Sequence, residues 1–584
     1  MTWIQPVDPL NSLPLSALVA MVPVLVIFWA LVIKKTKGYK ASLMACLAAI
    51  LIALVIYEMP VKLALLSATN GALYGFFPIC WIVISAVFLF NLNVKSGQFE
   101  VIKHSMASIT ADRRLQAILI AFSFGAFLEG TAGFGAPVAI TAAMLVGLDF
   151  DPMYATSLCL VANTVPVAFG SVGIPITVAS QVSGLSEMQL SQMIGRTLPV
   201  LSLFTPLYLV VLMSGFKKAM EVLPAILVSG ASFAVLQFAT SNFVGPALPD
   251  IIAGIGSIIT LVIFLKFWKP KTIWRFKNER FPLTVVKDAY TLNEVITAWS
   301  PFLLLTLIIL TWGLPPVKEF LNAKGQVQFE FPGLHNAIAD AKGTLLPHIF
   351  KFNYLSAAGT AVFFAALIAI PVVGLNYRQG VIVFGDTLKQ LKYPIITIMS
   401  VLSFAYIVND SGITTTIALL LANTGPLFPF FAPVLGWLGV FITGSDTASN
   451  ALFAKLQYVT ATKIGVAPVV TVAANCSGGV VGKMISPQSI AVAAAAGNLV
   501  GRESALFRFT VKHSFFILLF ICLLVLAQAY WLKDLVPVAM QATKPLNNVT
   551  LNAGLPGYTW LIITGLIIAV SISLLKIAGK KRSI

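Results

Sequence analysis

Three charged residues sit where charge is hardest to keep. Lys483 lies in "GGVVGKMISPQSIAVAAAA" (478–496), a stretch that otherwise reads as the middle of a membrane helix. Glu129 lies in "FLEGTAGFGAP" (127–137) and Asp446 in "FITGSDTASNA" (441–451), both inside apolar regions. A lysine at the bilayer centre costs roughly 2.5–3.5 kcal/mol on insertion scales, so it marks a functional site by default. Its obvious use is to pair with an anionic substrate. The alternatives are a structural ion pair with Asp446 or Glu129, or a lysine snorkelling to an interface. Glu129 and Asp446 are candidates for carrying a coupling proton, or for ligating Na⁺ together with backbone carbonyls. Asp446 also reads as an N-cap of a returning half-helix. Asp410, just before Ser411-Gly412, is a third coupling candidate, set against a plain interfacial carboxylate. Asp250 and Glu58 read as ordinary span ends.

Around these charges the chain gathers neutral donors. Ser445, Thr447, Ser449 and Asn450 cluster beside Asp446, and Thr131 and Gly133 follow Glu129. Asn163 and Asn475 each precede glycines, where an amide can bridge a ligand and exposed backbone. Gly478, Gly479, Gly482 and Pro487 are expected to interrupt a spanning helix, with Gln488 and Ser489 satisfying the freed groups. Non-helical backbone at membrane depth is tolerated only where protein or a water-filled cavity satisfies it. Half-helix N-termini add positive dipole ends. Together these features form a receptor for a carboxylate.

The elements that must hold these residues follow from composition. The chain has 584 residues, 58% hydrophobic and only 10% charged. Apolar runs of about 20 residues, each able to cross roughly 30 Å of hydrocarbon, recur along it, as at Pro14–Ile33, Tyr39–Tyr57 and Val295–Gly313. This predicts an all-α polytopic membrane protein of about 12–14 spans. The first apolar run lacks a basic flank and cleavage site and reads as a retained helix. The net charge of +17 reflects basic loops, such as "KKTKGYK" (34–40) and "KFWKPKTIWRFKNER" (266–280), and not nucleic-acid binding. The five cysteines and four histidines are scattered, so neither a disulfide framework nor a metal or cofactor site is expected. Without HExxH, GxSxG or a Cys–His constellation, an enzyme is not expected.

Placing basic loops in the cytoplasm puts the N-terminus outside and the C-terminus inside. Further cytoplasmic loops then fall near 95–114, 217–218, 266–287, 378–392 and 502–512. Two parts of the chain echo each other: "VANTVPVAFGSVGIPITVA" (161–179) lies over "AANCSGGVVGKMISPQSIA" (473–491) at an offset of 312. Phe127 and Gly130 correspond to Phe441 and Gly444, and Ser96-Gly97 to Ser411-Gly412. The flanking charges make the copies enter from opposite sides, so they are inverted-topology repeats, about 74–215 and 394–532, followed by a C-terminal helix near 557–578. Counting crossings makes 115–148 and about 426–464 re-entrant hairpins, and makes the Asn-Gly segments discontinuous helices. Such architecture binds substrate near the midplane in secondary transporters.

The blocks "GTAGFGAPVAI", "GSDTASNALF" and "GKMISPQSIAVA", in this order, resemble the bacterial L-lactate permease family over essentially the whole chain. That resemblance implies uptake of L-lactate, and often glycolate and related 2-hydroxymonocarboxylates, by proton symport across the bacterial cytoplasmic membrane. It also implies membership of the ion transporter superfamily, whose members are often homodimers. Hairpin-tip Ser, Thr and Asn side chains there commonly contact the substrate carboxylate, which maps onto Ser445, Thr447, Ser449 and Asn450. No cofactor is implied. Na⁺-coupled symport and a passive organic-anion channel remain as alternatives.

Overall fold

The computed structural model describes residues 2–34, 36–133, 135–276 and 290–537. The expected helix near 557–578 lies outside them. Among the described residues, ten helices are long and apolar enough to cross a membrane, or twelve when each of two bent pairs counts as one span. Apolar side chains on their outer faces are exposed, as a chain solvated by lipid requires, while the polar side chains turn inward. Strands are confined to short pieces. Trp3–Ile4 pairs in parallel with Ile338–Ala339, and Val327–Glu330 pairs antiparallel with Ile349–Phe352. The first pairing puts the N-terminal segment and the 314–354 insertion on one side of the bundle. Two segments expected as loops, 378–392 and 502–512, are continuous with helices Tyr377–Asp410 and Glu503–Tyr530. Their basic residues ride on exposed helical turns, which keeps the backbone paired.

Two hairpins and two broken helices occupy the middle. The first hairpin enters through Arg113–Gln116, the π-helical stretch Ala117–Phe124 and Gly125–Thr131, then returns through Ala136–Gly147. Its base is anchored by the buried Arg114 guanidinium, which donates to Asp112, to Glu221 Oε2 at 2.9 Å and to the carbonyls of Lys218 and Thr272. The second hairpin comprises Phe428–Thr443 and Asp446–Ile464, joined by Gly444 at φ +69°. Ser445, not Asp446, caps the returning arm, accepting the Ala448 N–H at 3.3 Å. The carboxylate next to the cap is therefore free for other work.

Pro152–Ala162 and Val167–Ser183 meet at 64°, and Pro468–Lys483 and Pro487–Ala496 meet at 40°. The glycines of the second pair do not break it. The helix runs through Gly478, Gly479 and Gly482 to Lys483, and the break is Met484–Ser486. Gly478 and Gly482, four residues apart, lie against the second hairpin's descending arm; Cβ atoms there would stand 1.9 Å from Pro433 O and 2.4 Å from Trp437 O. These glycines serve close helix packing, which replaces the hydrophobic effect as the glue inside a bilayer. Ser486 then caps the restarted helix, accepting the Ser489 N–H at 3.1 Å, with Pro487 at its first position.

Candidate functional site

Lys483 ends its helix, where the carbonyl dipoles favour a cation. Its Nζ donates to Glu129 Oε1 at 2.8 Å, and Asn163 Nδ2 donates to Glu129 Oε2 at 2.9 Å. Both ends of the ion pair are buried, Lys483 at 8% and Glu129 at 2% exposure. Glu129 packs against Gly170, where a Cβ would stand 2.9 Å from its Oε1. The lysine of one repeat thus meets the acid of the other across the first hairpin tip.

The pair lines a cavity of about 80 Å³. Ser445, Asp446, Thr447 and Gln488 of the second half face it from one side, and Gly170, Ser171 and Pro175 of the first broken helix from the other. Asp446 is 2% exposed, and neither carboxylate oxygen has a hydrogen-bond partner of normal geometry among the described residues. Its Oδ1 lies over Gly479, where a Cβ would stand at 2.1 Å. The site therefore offers one ammonium, bonded to Glu129 and within electrostatic reach of Asp446, one carboxyl group without a hydrogen bond of normal geometry, and neutral donors at Ser445, Thr447 and Gln488.

Seven of the residues singled out in the sequence lie outside the cavity lining. Thr131 spends its hydroxyl on the Phe127 and Leu128 carbonyls of its own helix, at 3.1 and 3.2 Å. Gly133, at φ +59°, abuts the Ser171 hydroxyl, and Asn163 stands behind Glu129. Ser449, Asn450 and Asn475 form a buried network: Asn475 Nδ2 donates to Asn450 Oδ1 at 2.8 Å, and Ser449 Oγ donates to Gly436 O at 3.1 Å. Asn450 Nδ2 also donates to Pro175 O at 3.1 Å, satisfying a carbonyl of the opposite broken helix. Asp410 belongs to a separate cluster, accepting from Ser67 and lying 3.1 Å from His348 Nε2. Ser171 was missed, although the repeat offset sets it opposite Lys483.

Two larger cavities flank the central one. A chamber of about 300 Å³ beside Lys37–Ser42 and Tyr393–Leu402 shares Ser445, Thr447 and Gln488 with it, so the second hairpin tip is the partition between the two. A chamber of about 680 Å³ on the side of Glu187, Lys318 and Lys351 reaches Val172 but not the pair. Between that chamber and the central cavity stand Ser171, Val172 and Gly173, at φ +48°, +60° and +77°. A left-handed β-branched residue is a true backbone outlier, and such outliers collect at functional sites.

A many-helix membrane bundle whose hairpins and broken helices enclose a small charged cavity is built as a transporter and not as an enzyme. The family and the relatives that match the chain agree. The family profile described as L-lactate permease matches residues 16–532. The L-lactate permease of Bacillus subtilis (strain 168) is 52% identical over 92% of this chain and 100% of that one. The glycolate permease GlcA of Escherichia coli (strain K12) is 50% identical over 91% of this chain and 98% of that one. Among solved structures, MtrF of Neisseria gonorrhoeae aligns at a TM-score of 0.45 and 14% identity, over 82% of this chain and 86% of that one. The chain belongs to the L-lactate permease family.

Proposed function

We propose that the protein takes up L-lactate and glycolate by proton symport, with Lys483 exchanging Glu129 for the substrate carboxylate. The observation that carries this reading is the 2.8 Å contact between Lys483 and Glu129 beside Asp446, whose oxygens make no hydrogen bond of normal geometry. An anion entering the cavity can claim the ammonium only if Glu129 releases it. Leaving Glu129 ionised and unpaired costs about 3–5 kcal/mol, the usual loss when one partner of a buried pair is removed. A proton on Glu129 removes that cost. Each bound anion then requires a proton, and the loaded site moves with less net charge than the anion alone would give it.

The neutral donors suit the remaining oxygens of a 2-hydroxy acid. Thr447 and Gln488 face the cavity, and a protonated Asp446 donates where an ionised one repels. Ser445–Thr447 form the wall that the cavity shares with the chamber beside Lys37–Ser42. The basic loop at 34–40 makes that side cytoplasmic by the positive-inside rule, with the N-terminus outside. The central cavity then lies nearer the cytoplasmic chamber, with which it shares lining residues, and the 171–173 turn is the gate toward the outer one.

Reconstituted protein tests the reading. An inside-alkaline pH gradient should drive labelled lactate above its equilibrium ratio, unlabelled glycolate should compete, and a protonophore should collapse the accumulation. Accumulation driven by a sodium gradient at equal pH would replace proton coupling with sodium coupling. Flux that never exceeds the electrochemical equilibrium of the anion would make the protein a channel.

A further inference from the structure

Asp250 lies in the first turn of the Pro249–Phe267 helix and reads in the sequence as a span end. The fold buries it to 1% exposure. Its Oδ2 has no hydrogen-bond partner, and its Oδ1 receives only a long 3.4 Å contact from Gln237 Nε2. Gln237 is in turn held by the Ser202 hydroxyl at 2.6 Å. Asp250 joins no ion pair among the described residues. The nearest acid on the hairpin packed against it is Glu129, whose neighbour Gly130 lies against Asp250 and whose charge disfavours a second anion there; the Leu223–Phe243 helix contributes the neutral Gln237. The approach is close because the residue after Glu129 is a glycine. A Cβ on Gly130 would stand 2.9 Å from Asp250 Cβ and 3.1 Å from Ile251 N. Val244, Pro246 and Ala247, three to six residues ahead of Asp250 in the chain, line the 680 Å³ chamber, which Asp250 itself does not reach.

We propose that Asp250 is a second proton-carrying residue of the transport cycle, standing between the larger chamber and Glu129. This rests on the proton-symport reading. An unpaired carboxylate at this depth is costly, while its place in a helix first turn favours the anion, so neither form is locked. When Glu129 gives up Lys483 and its side chain is free to move, the Asp250 carboxyl O–H transfers its proton to the Glu129 carboxylate, directly or through one water. Asp250 becomes the anion and is reprotonated by hydronium from the chamber. Placing the two negative charges on either side of Gly130 also disfavours ionising both at once, which directs the proton toward the acid that has lost its lysine.

The test compares wild type, Asp250→Asn and Asp250→Glu in proteoliposomes, by lactate counterflow and by uptake driven by a pH gradient. Counterflow exchanges substrate without net proton movement. Asp250→Asn should keep counterflow within about twofold, lose at least tenfold in driven accumulation, and flatten the pH dependence of KM. Asp250→Glu should restore driven accumulation and the pH dependence. Driven accumulation by Asp250→Asn at the wild-type level overturns the proposal. Parallel loss of counterflow in both variants also overturns it, making Asp250 a packing residue. A wild type that ignores the pH gradient sinks the symport reading itself; a driven wild type with an equally driven Asp250→Asn sinks only the role of Asp250.

Discussion

In the first broken helix the chain leaves helical geometry at Asn163 and passes through a 3₁₀ turn and three left-handed residues before resuming beyond Gly173. In the second, only Met484–Ser486 depart from it, and Met484 keeps a right-handed φ of −64°. The two segments align without a gap at an offset of 312, so Ser171 stands for Lys483, Val172 for Met484 and Val167 for Gly479. One copy spends its break on a wall of backbone between two cavities. The other keeps its helix to the last turn and uses the end to present an ammonium. The acids divide in the same way: Glu129 of the first hairpin is paired at both oxygens, while Asp446 of the second is paired at neither. Related halves thus differ in what they place at the centre, a left-handed backbone turn in one and a charged helix end in the other, and the ion pair is made between them.

The largest effect expected from disturbing this asymmetry is at the pair. Lys483→Gln should lower lactate uptake by more than 100-fold and destabilise the protein, because Glu129 is left buried without a cation, at a cost of about 3–5 kcal/mol. Adding Glu129→Gln should recover the melting temperature without recovering uptake. If the double variant stays as unstable as the single, the pair does not hold the halves together.

Gly479→Ala comes next, since its Cβ would meet Asp446 Oδ1 at 2.1 Å. Overpacking of that kind costs about 1–3 kcal/mol, and uptake should fall by about tenfold or more. The aligned Val167 already carries a side chain, so Val167→Ala should change uptake by less than about threefold. Equal responses at the two positions would erase the distinction between the copies.

Val172→Gly removes a left-handed penalty of about 1–2 kcal/mol and should favour the closed gate by about fivefold to thirtyfold. The readout is slower labelling of a cysteine placed at Ser171, with reagent added on the side of the larger chamber. Faster labelling would mean that the turn does not close that side.

The smallest effect belongs to the outlying acid, Asp410. Burial opposes a charge on His348, but the hydrogen bond and charge of Asp410 outweigh it, so His348 holds its proton to higher pH than a free histidine. The stability this contributes is fully present below the ordinary value of 6.5 and is lost as pH rises through the elevated one. The melting temperature should fall by about a degree or two over that range in wild type and stay flat in His348→Gln. A loss of driven uptake in that variant would instead bring Asp410 into the coupling machinery.

Much of this arrangement was legible in the chain, and unevenly so. Lys483 stood out because a charge between glycines and a proline inside an apolar run has few bland explanations, and Glu129 was already one of its two named partners. The hairpins followed from counting crossings. Ser449, Asn450 and Asn475 were read as ligand donors because an amide or hydroxyl near a break looks the same whether it faces a cavity or a carbonyl of another helix. Gly478 and Gly482 were read as breakers because spacing does not reveal whether a neighbouring helix packs where their Cβ atoms would stand. Asp250 looked like a span end because nothing in its own segment reports that the tip of a hairpin 120 residues earlier covers it.

Hydropathy and the spacing of small and charged residues determined by themselves that this is a repeated, helical membrane protein with charge at its centre. Those properties depend on transfer from water to lipid and on local backbone preference, both of which act within one segment. Which carboxylate meets the lysine, which hydroxyls remain open to a ligand, and which copy forms the wall were decided only when the halves packed. Each is set within a few ångströms, between residues tens to hundreds of positions apart.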